Sequence, residues 1–249
     1  RGLEADIFQP YQSVHLDDVP ASLQLDSQHR VTPVDFSDLC VNYWIDALDG
    51  PAPTSIADLT DPDLASSFVT QNPETSAPGM GFLLATIATL GDDWETYWEE
   101  LAENGLAVTA GWTEAYYGDF IAGGGDRALV MSYASSPVAE LLFADPPVDA
   151  PPTASLLDSC FRSIEFAGIL AGTDHPEAAA LLVDFLLSPT FQEDIPLSMF
   201  VFPANTMATL PPEFDAWAEL ADEPLSIAPD VIEANRDVWT QRWTEIVLR

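Results

Sequence analysis

Acidic side chains dominate this sequence and limit the conditions under which it can fold. The 249 residues include 41 Asp and Glu but only 7 basic residues, all of them Arg, giving a formal net charge of -34. Self-repulsion of this size opposes compaction at low ionic strength, whereas near 1 M salt the Debye length falls to about 3 Å and screens it. We therefore expect a halophilic protein, and we favour this interpretation over acidity that serves a specific cationic partner.

The composition also excludes two broad classes. A nucleic-acid partner requires a basic surface, and this chain would repel phosphate backbones. Disordered acidic chains lack aromatic residues, whereas this one has 7 Trp, 13 Phe and 6 Tyr and is 47% hydrophobic. The longest apolar runs, such as residues 80–90, are too short to cross a bilayer. The start of the sequence has no basic, apolar leader, so we expect any secretion signal to have been removed or to lie outside it.

Alternating patterns along the chain predict an α/β fold. Strand-like runs occur at residues 30–43, 129–133 and 160–167. Helical patterns fall between or after them, at residues 80–90, 94–105, 113–121, 137–143, 176–187 and 229–248, with Thr173 or Asp174 as the expected cap of the fifth. Proline-rich breaks at residues 51–53 and 146–152 bracket a central block, which indicates two lobes joined by a hinge.

No pattern in the sequence indicates a metal site or a catalytic centre. The three histidines, His15, His29 and His175, are far apart and have no His or Cys neighbour at helical spacing. Motifs for a nucleophile elbow, a phosphate-binding loop and a dinucleotide site are all missing. We therefore assign no metal, no cofactor and no catalytic residue.

Two segments suggest a ligand site instead. Residues 72–81 place small and hydroxyl-bearing residues before an apolar helix, so free backbone amides and Ser76 could bind an anion, although on spacing alone we favour a plain helix cap. Ser135-Ser136-Pro137, after the strand that ends at Tyr133, is a second such helix start. Trp112 and Tyr133 stand at strand ends, and in open α/β sheets ligands bind at the carboxyl ends of the strands.

Together these strings resemble the thiamine-binding periplasmic proteins of bacterial ABC importers. The match is ordered and extends to the last residue, and six strings in one order make it specific. The strings are P-V-D-F-S-D-L-C-V-N-Y (33–43), P-E-T-S-A-P-G-M-G-F-L-L (73–84), V-T-A-G-W-T-E-A-Y (108–116), L-V-M-S-Y-A-S-S-P (129–137), F-L-L-S-P-T-F-Q-E-D-I-P (185–196) and the Trp239/Trp243 tail.

The resemblance implies a ligand between two lobes, with its phosphate or hydroxyethyl end toward a serine and its rings among aromatic side chains. Phe200 stands where the family usually has Trp, which keeps an aromatic face. Ala139 replaces a Tyr that the family often has, so one stacking partner is missing. The candidate ligand contacts are Ser76, Thr75, Trp112, Tyr133 and Asp35, which lie in these strings, and Phe200 in S-M-F-V-F-P (198–203).

The resemblance further implies the two-lobed type II periplasmic-binding-protein fold, a hinged clamp. Residues 1–45 and 158–249 are expected in lobe 1 and residues 46–157 in lobe 2, with the amino-terminal part of lobe 1 missing. The implied protein is an extracytoplasmic monomer, lipid-anchored at full length. It is expected to deliver thiamine or a thiamine phosphate to an ABC permease without being an enzyme.

Two alternatives and one pairing stay open at this stage. Tyr116 and Tyr117 resemble the paired tyrosines of ferric-binding relatives, so ferric ion is a second possible solute. A thiamine-processing enzyme on the same fold would need an activated nucleophile, and Cys40 and Cys160 are the only thiols. These cysteines could equally be a bridge or two buried thiols. We expect their Cα atoms within about 7 Å, because both border one sheet in an oxidising setting.

Overall fold

The computed structural model describes residues 2–248. Its strands are β1 Phe8–Gln9, β2 Thr32–Trp44, β3 Phe68–Gln71, β4 Ala107–Thr109, β5 Leu129–Tyr133, β6 Thr153–Ala167, β7 Ile169–Leu170 and β8 Phe202–Pro203. Its helices are α1 Pro62–Ser66, α2 Ala77–Leu90, α3 Trp94–Glu103, α4 Trp112–Glu114, α5 Ser136–Leu142, α6 Pro176–Leu187, α7 Pro189–Gln192, α8 Ile195–Met199, α9 Pro212–Trp217 and α10 Pro229–Val247. Among these, no helix combines the length and hydrophobicity needed to cross a bilayer.

The chain forms two compact units. Unit 1 comprises Arg1–Ser37 and Ser163–Ala216, and unit 2 comprises Asp38–Arg162 and Trp217–Arg249. The boundaries at residues 37/38 and 162/163 fall inside long strands, β2 and β6. The expected lobe boundaries therefore differ from the observed ones by several residues, and residues 217–249 join unit 2 although the sequence predicts them in lobe 1.

The carboxy-terminal helix α10 belongs to unit 2 because its aromatic side chains pack into the hydrophobic core of that unit. Trp243 of α10 is fully buried and packs edge-on against Trp98 of α3, with ring centroids 5.5 Å apart. Trp98 in turn contacts Phe82 of α2, at 5.2 Å. Arg242 forms an ion pair with Glu95 at 2.6 Å on the rim of this contact. Burying an indole contributes far more than one exposed ion pair, so aromatic packing decides where α10 docks.

Unit 2 is built on a mixed sheet with the strand order β4-β3-β5-β2-β6. β3 pairs in parallel with both β4 and β5, while β2 runs antiparallel to β5. Parallel neighbours require crossover connections, and α2 and α3 provide one between β3 and β4. The carboxyl ends of β4, β3 and β5 consequently meet at one edge of the sheet.

Unit 1 has its own smaller core. Leu16, Val19, Leu23 and Leu187 pack together with Ala204. The first part of β2 pairs with β8, with Asp35 opposite Pro203 and Phe36 opposite Phe202. β1 pairs with β7 in a separate two-stranded sheet.

A disulfide joins β2 to β6 within unit 2. Cys40 and Cys160 are bonded, with Cα atoms 4.3 Å apart, which confirms the expected proximity. Two residues along each strand, the Arg162 guanidinium pairs with the buried carboxylate of Asp38. A covalent link and a buried ion pair thus hold β2 and β6 together immediately before the unit boundary.

Several predicted elements agree with the structure and others differ for local reasons. β5 and α6 have the predicted bounds. β6 begins at Thr153, seven residues earlier than predicted. The predicted helix at residues 113–121 is a short helix followed by a π-helical segment, Ala115–Asp119. The cap of α6 is His175, and the Thr173 hydroxyl accepts a hydrogen bond from the His175 amide rather than from the helix itself.

Candidate ligand-binding site

Three loops meet at the carboxyl edge of the parallel strands in unit 2. The loop after β3 bonds to the end of β4, since the Asn72 amide donates to the Thr109 carbonyl at 2.9 Å. The Thr75 hydroxyl donates to the carbonyl of Ala110 at 2.6 Å. Trp112 begins α4 just beyond, and the loop after β5 leads into α5. This edge is where open α/β sheets bind ligands, and it carries four of the six predicted contacts.

The start of α2 is open to a ligand. Ser76 is the N-cap residue, as the plain-cap interpretation expects, but its side chain makes no capping hydrogen bond with the helix. The first N–H groups of a helix have no intrahelical acceptor and can bind an anion. Gly79 lets the helix begin directly against β3, because a Cβ there would lie 2.3 Å from the Gln71 carbonyl oxygen. Ser76 is half-buried and Thr75 is exposed, which leaves both hydroxyls within reach of solvent.

An aromatic cluster lies at the same edge. Trp112 stacks on Tyr116 with centroids 4.7 Å apart and planes 24° from parallel. Tyr133 and Tyr117 meet the indole edge-on, at 6.3 Å and 5.4 Å. Aromatic faces of this kind stack with flat rings and attract cations. The structure therefore brings together Trp112 and Tyr133, the two aromatic residues of this unit that the sequence predicts as contacts for thiamine.

A hydrogen-bond network fixes the orientation of the indole. Trp112 Nε1 donates to Ser132 Oγ at 2.8 Å, and Ser132 Oγ lies 2.7 Å from Ser136 Oγ. Ser136 also accepts a bond from the Tyr133 amide at 3.3 Å. In the predicted helix start at Ser135-Ser136-Pro137, both serines are buried, and the Ser136 hydroxyl helps to hold the two aromatic residues in place.

Tyr116 and Glu140 form a pair that sequence reasoning missed. The Tyr116 hydroxyl donates to Glu140 Oε1 at 2.7 Å. Burial, the Glu140 charge and this hydrogen bond all raise the pKa of Tyr116, so the phenol stays protonated. Burial also raises the pKa of Glu140, although the bond from Tyr116 opposes the shift. No local signal in the sequence could have joined two residues from different elements, 24 positions apart.

The remaining two predicted contacts lie in unit 1. Phe200 follows α8 with a left-handed backbone, φ 56°, and its ring lies 6.1 Å from that of Phe214. Asp35 is only 3% exposed, and its Oδ1 atom is buried without a hydrogen-bond partner. Burial, with the nearby charge of Glu165, raises the pKa of Asp35 to about 7. The roles of Phe200 and Asp35 in binding stay predictions.

The described residues offer little for metal or thiol chemistry. Within residues 2–248, no group of three or more His, Cys, Asp or Glu side chains is arranged to hold a metal ion. Both cysteines are consumed by the disulfide. The chemistry that this edge offers is non-covalent: aromatic stacking, hydroxyl groups and open amides.

Comparison with known proteins places the chain in a family. Residues 1–222 match the family model described as bacterial extracellular solute-binding protein. The chain belongs to this family of extracellular solute-binding proteins. Over 217 residues, this solute-binding protein is 33% identical to the thiamine-binding periplasmic protein of Escherichia coli (strain K12). That alignment covers 87% of the chain but only 64% of the relative's length.

Solved structures agree with this assignment. A periplasmic thiamin binding protein superposes with a TM-score of 0.84 at 29% sequence identity, covering 100% of this chain and 76% of that one. A Bordetella ferric binding protein gives a TM-score of 0.72 at 19% identity, covering 98% and 78%. At that lower identity only the fold is comparable. The expected fold class, the type II periplasmic-binding-protein α/β fold, is confirmed.

Proposed function

We propose that this chain captures thiamine or a thiamine phosphate and delivers it to an ABC permease. The observation that carries the proposal is the Trp112–Tyr116–Tyr133 cluster beside the open start of α2, on one sheet edge of a chain similar to thiamine-binding proteins. Thiamine has the matching chemistry. Its thiazolium is a cation suited to aromatic faces, its aminopyrimidine is flat, and its alcohol or phosphate suits a helix start.

Each side chain in unit 2 has a distinct part in this proposal. Trp112 and Tyr133 stack against the rings of the ligand. Ser76 and the first amides of α2 bind the hydroxyethyl or phosphate end, and the Thr75 oxygen, whose proton goes to Ala110, accepts from the hydroxyethyl group. Because a phosphate is a stronger hydrogen-bond acceptor than an alcohol, Ser76 matters most for phosphorylated ligands. Phe200 and Asp35 of unit 1 are proposed as further contacts.

The protein is proposed to act by binding alone. Thiamine cleavage of the nucleophilic type would need a free thiolate or a similarly activated group, and the only two cysteines are bonded to each other. A disulfide also suits an extracytoplasmic location, where oxidising conditions preserve it. We further propose that the protein works as a monomer, anchored to the membrane by a lipid in its full-length form.

Ferric ion is the competing solute, and the geometry opposes it. Iron-binding tyrosines present their oxygens to the metal, whereas the Tyr116 side chain is buried and its hydroxyl is already engaged with Glu140. Tyr117 is exposed and could reach an ion only alone. Addition of a ferric salt should therefore give no tyrosinate charge-transfer colour. A visible absorbance band that saturates at one equivalent would favour iron.

The identity of the solute can be read directly from the purified protein. Protein prepared in molar salt without added thiamine is denatured, and the released small molecules are analysed by mass spectrometry. We expect the mass of thiamine or of a thiamine phosphate, at a level that falls after extensive dialysis against denaturant and refolding. A different solute at stoichiometric amounts would replace the proposal.

A further inference from the structure

A carboxylate lies behind the aromatic cluster of unit 2. The Glu140 side chain, half-buried on α5, accepts the Tyr116 hydroxyl at 2.7 Å. The Tyr116 ring covers one face of Trp112, so a ligand ring that stacks on Trp112 must use the opposite face. A ligand bound there makes a stack of ligand, Trp112 and Tyr116, and Glu140 lies at the edge of the Tyr116 ring, beyond its hydroxyl.

The charge of Glu140 has no cationic partner in the described part of the chain. The ion pairs of residues 2–248 use other carboxylates, and the one interaction that favours the ionised form of Glu140 is the hydrogen bond from Tyr116. Placing a carboxylate in a partly buried position costs free energy unless something compensates it. A cation bound on the aromatic stack would supply that compensation.

The charge of Glu140 acts on a ligand stacked on Trp112 because both rings of the stack are held in fixed positions. Tyr116 is buried and held by Glu140, and Trp112 is held through Ser132 and Ser136. A phenol that donates to a carboxylate has a more electron-rich ring, which strengthens the attraction of stacked aromatic faces for a cation. The carboxylate also attracts the cation directly, through a region of lower dielectric than water.

We propose that Glu140, acting through Tyr116, is a positioning and specificity-determining residue that makes this site prefer a cationic aromatic ligand over a neutral one of the same shape. The inference rests on the proposed function, because it takes the Trp112 face as the place where the ligand ring binds. It goes further by naming the group that sets the charge preference.

The test compares two ligands and one matched pair of variants. The ligands are thiamine and a neutral isostere in which carbon replaces the thiazolium nitrogen. Glu140→Gln keeps the size of the side chain and an acceptor for Tyr116 but removes the charge. Glu103→Gln, at an exposed position on α3, removes one charge from elsewhere in the same unit. All affinities are measured by calorimetry at the same salt concentration, in the molar range. At that salt concentration the half-buried charge of Glu140 is screened less than the exposed charge of Glu103.

We expect Glu140→Gln to weaken thiamine binding roughly fivefold to tenfold and to change the affinity for the neutral isostere less than about twofold. Glu103→Gln should change neither affinity by more than about twofold. Tyr116→Phe, which removes the hydroxyl between ring and carboxylate, is the second variant and should also lower the preference for thiamine. Tyr116→Phe still tests the inference if the Glu140→Gln variant does not fold.

Three outcomes would overturn the inference. Equal losses for both ligands in Glu140→Gln would show a merely structural role, and unchanged affinities would show no role at all. If Tyr116→Phe weakens the binding of thiamine and of the neutral isostere equally, the charge of Glu140 does not act through Tyr116. These results leave the proposed function intact, whereas wild-type protein that binds no thiamine would overturn the proposed function itself.

Discussion

Replacing Asp35 with asparagine tests how a buried carboxylate with an unbonded oxygen affects stability. Asp35 is 3% exposed, and its Oδ1 forms no hydrogen bond. Burial, reinforced by the charge of Glu165 on β6, raises the pKa of Asp35 from 3.8 to about 7. The facing strand β8 contributes only Phe202 and Pro203, neither of which titrates.

The sign of the effect follows from proton binding. Between about pH 4 and pH 7 the folded state holds a proton on Asp35 that the unfolded state has released, so stability falls as pH rises through this window. The interval between the two pKa values corresponds to at most about 4 kcal/mol, at about 1.4 kcal/mol per unit. Water penetration and relaxation around a buried charge reduce such penalties, so we expect about 2–4 kcal/mol.

The assay is urea unfolding followed by Trp fluorescence at constant molar NaCl, from pH 4 to pH 8. Asp35→Asn should match the wild type near pH 4 and be about 2–4 kcal/mol more stable at pH 8. Asp184→Asn is the control. Burial raises the pKa of Asp184, but hydrogen bonds from Ser13, Tyr11 and the Val14 amide outweigh this and lower it. That variant should therefore lose stability at pH 8. A difference between Asp35→Asn and wild type that is flat across pH would refute the reasoning.

Three further predictions concern charge, the disulfide and the anion site. With a net charge of -34, the melting temperature should rise steadily from 0.1 M to 2 M salt in a thermal scan, and an unchanged melting temperature would argue against the halophilic interpretation. Replacing Cys40 and Cys160, which are 120 residues apart, with serine should cost about 2–5 kcal/mol in chemical unfolding, and no loss would mean that the bridge constrains nothing in the unfolded chain. Ser76→Ala should weaken binding of thiamine phosphates more than binding of thiamine in parallel titrations, and equal losses would remove Ser76 from the phosphate end.

Sequence patterns were sufficient to predict the bounds of elements whose first and last residues favour a helix start or a helix end. α6 has apolar residues at helical spacing between Pro176 and Ser188, and its bounds agree with the prediction. Trp112 and Tyr133 could be placed at strand ends because apolar runs stop just before or at them. The proximity of Cys40 and Cys160 could also be predicted, since both stand in strand-like runs.

Partners across elements could not be predicted in the same way. The indole of Trp243 could pack equally well on any apolar core, and only the position of Trp98 on α3 decides that α10 belongs to unit 2. Glu140 is one of 41 acidic residues, and nothing local distinguishes it from a solvated one. Its contact with Tyr116 exists only because the fold brings α5 beside the π-helical segment.

Calorimetric titration of the protein with thiamine, in molar salt and after removal of any bound solute, tests the central claim most directly. We expect saturable binding of one thiamine per chain, and Trp112→Ala should weaken it by about 2 kcal/mol, roughly thirtyfold, as expected for a desolvated cation–π contact. If Trp112→Ala binds thiamine as tightly as the wild type does, the ligand does not stack on the Trp112 face. No heat with thiamine, its monophosphate or its diphosphate, from protein whose melting curve shows a folded state, would contradict the account.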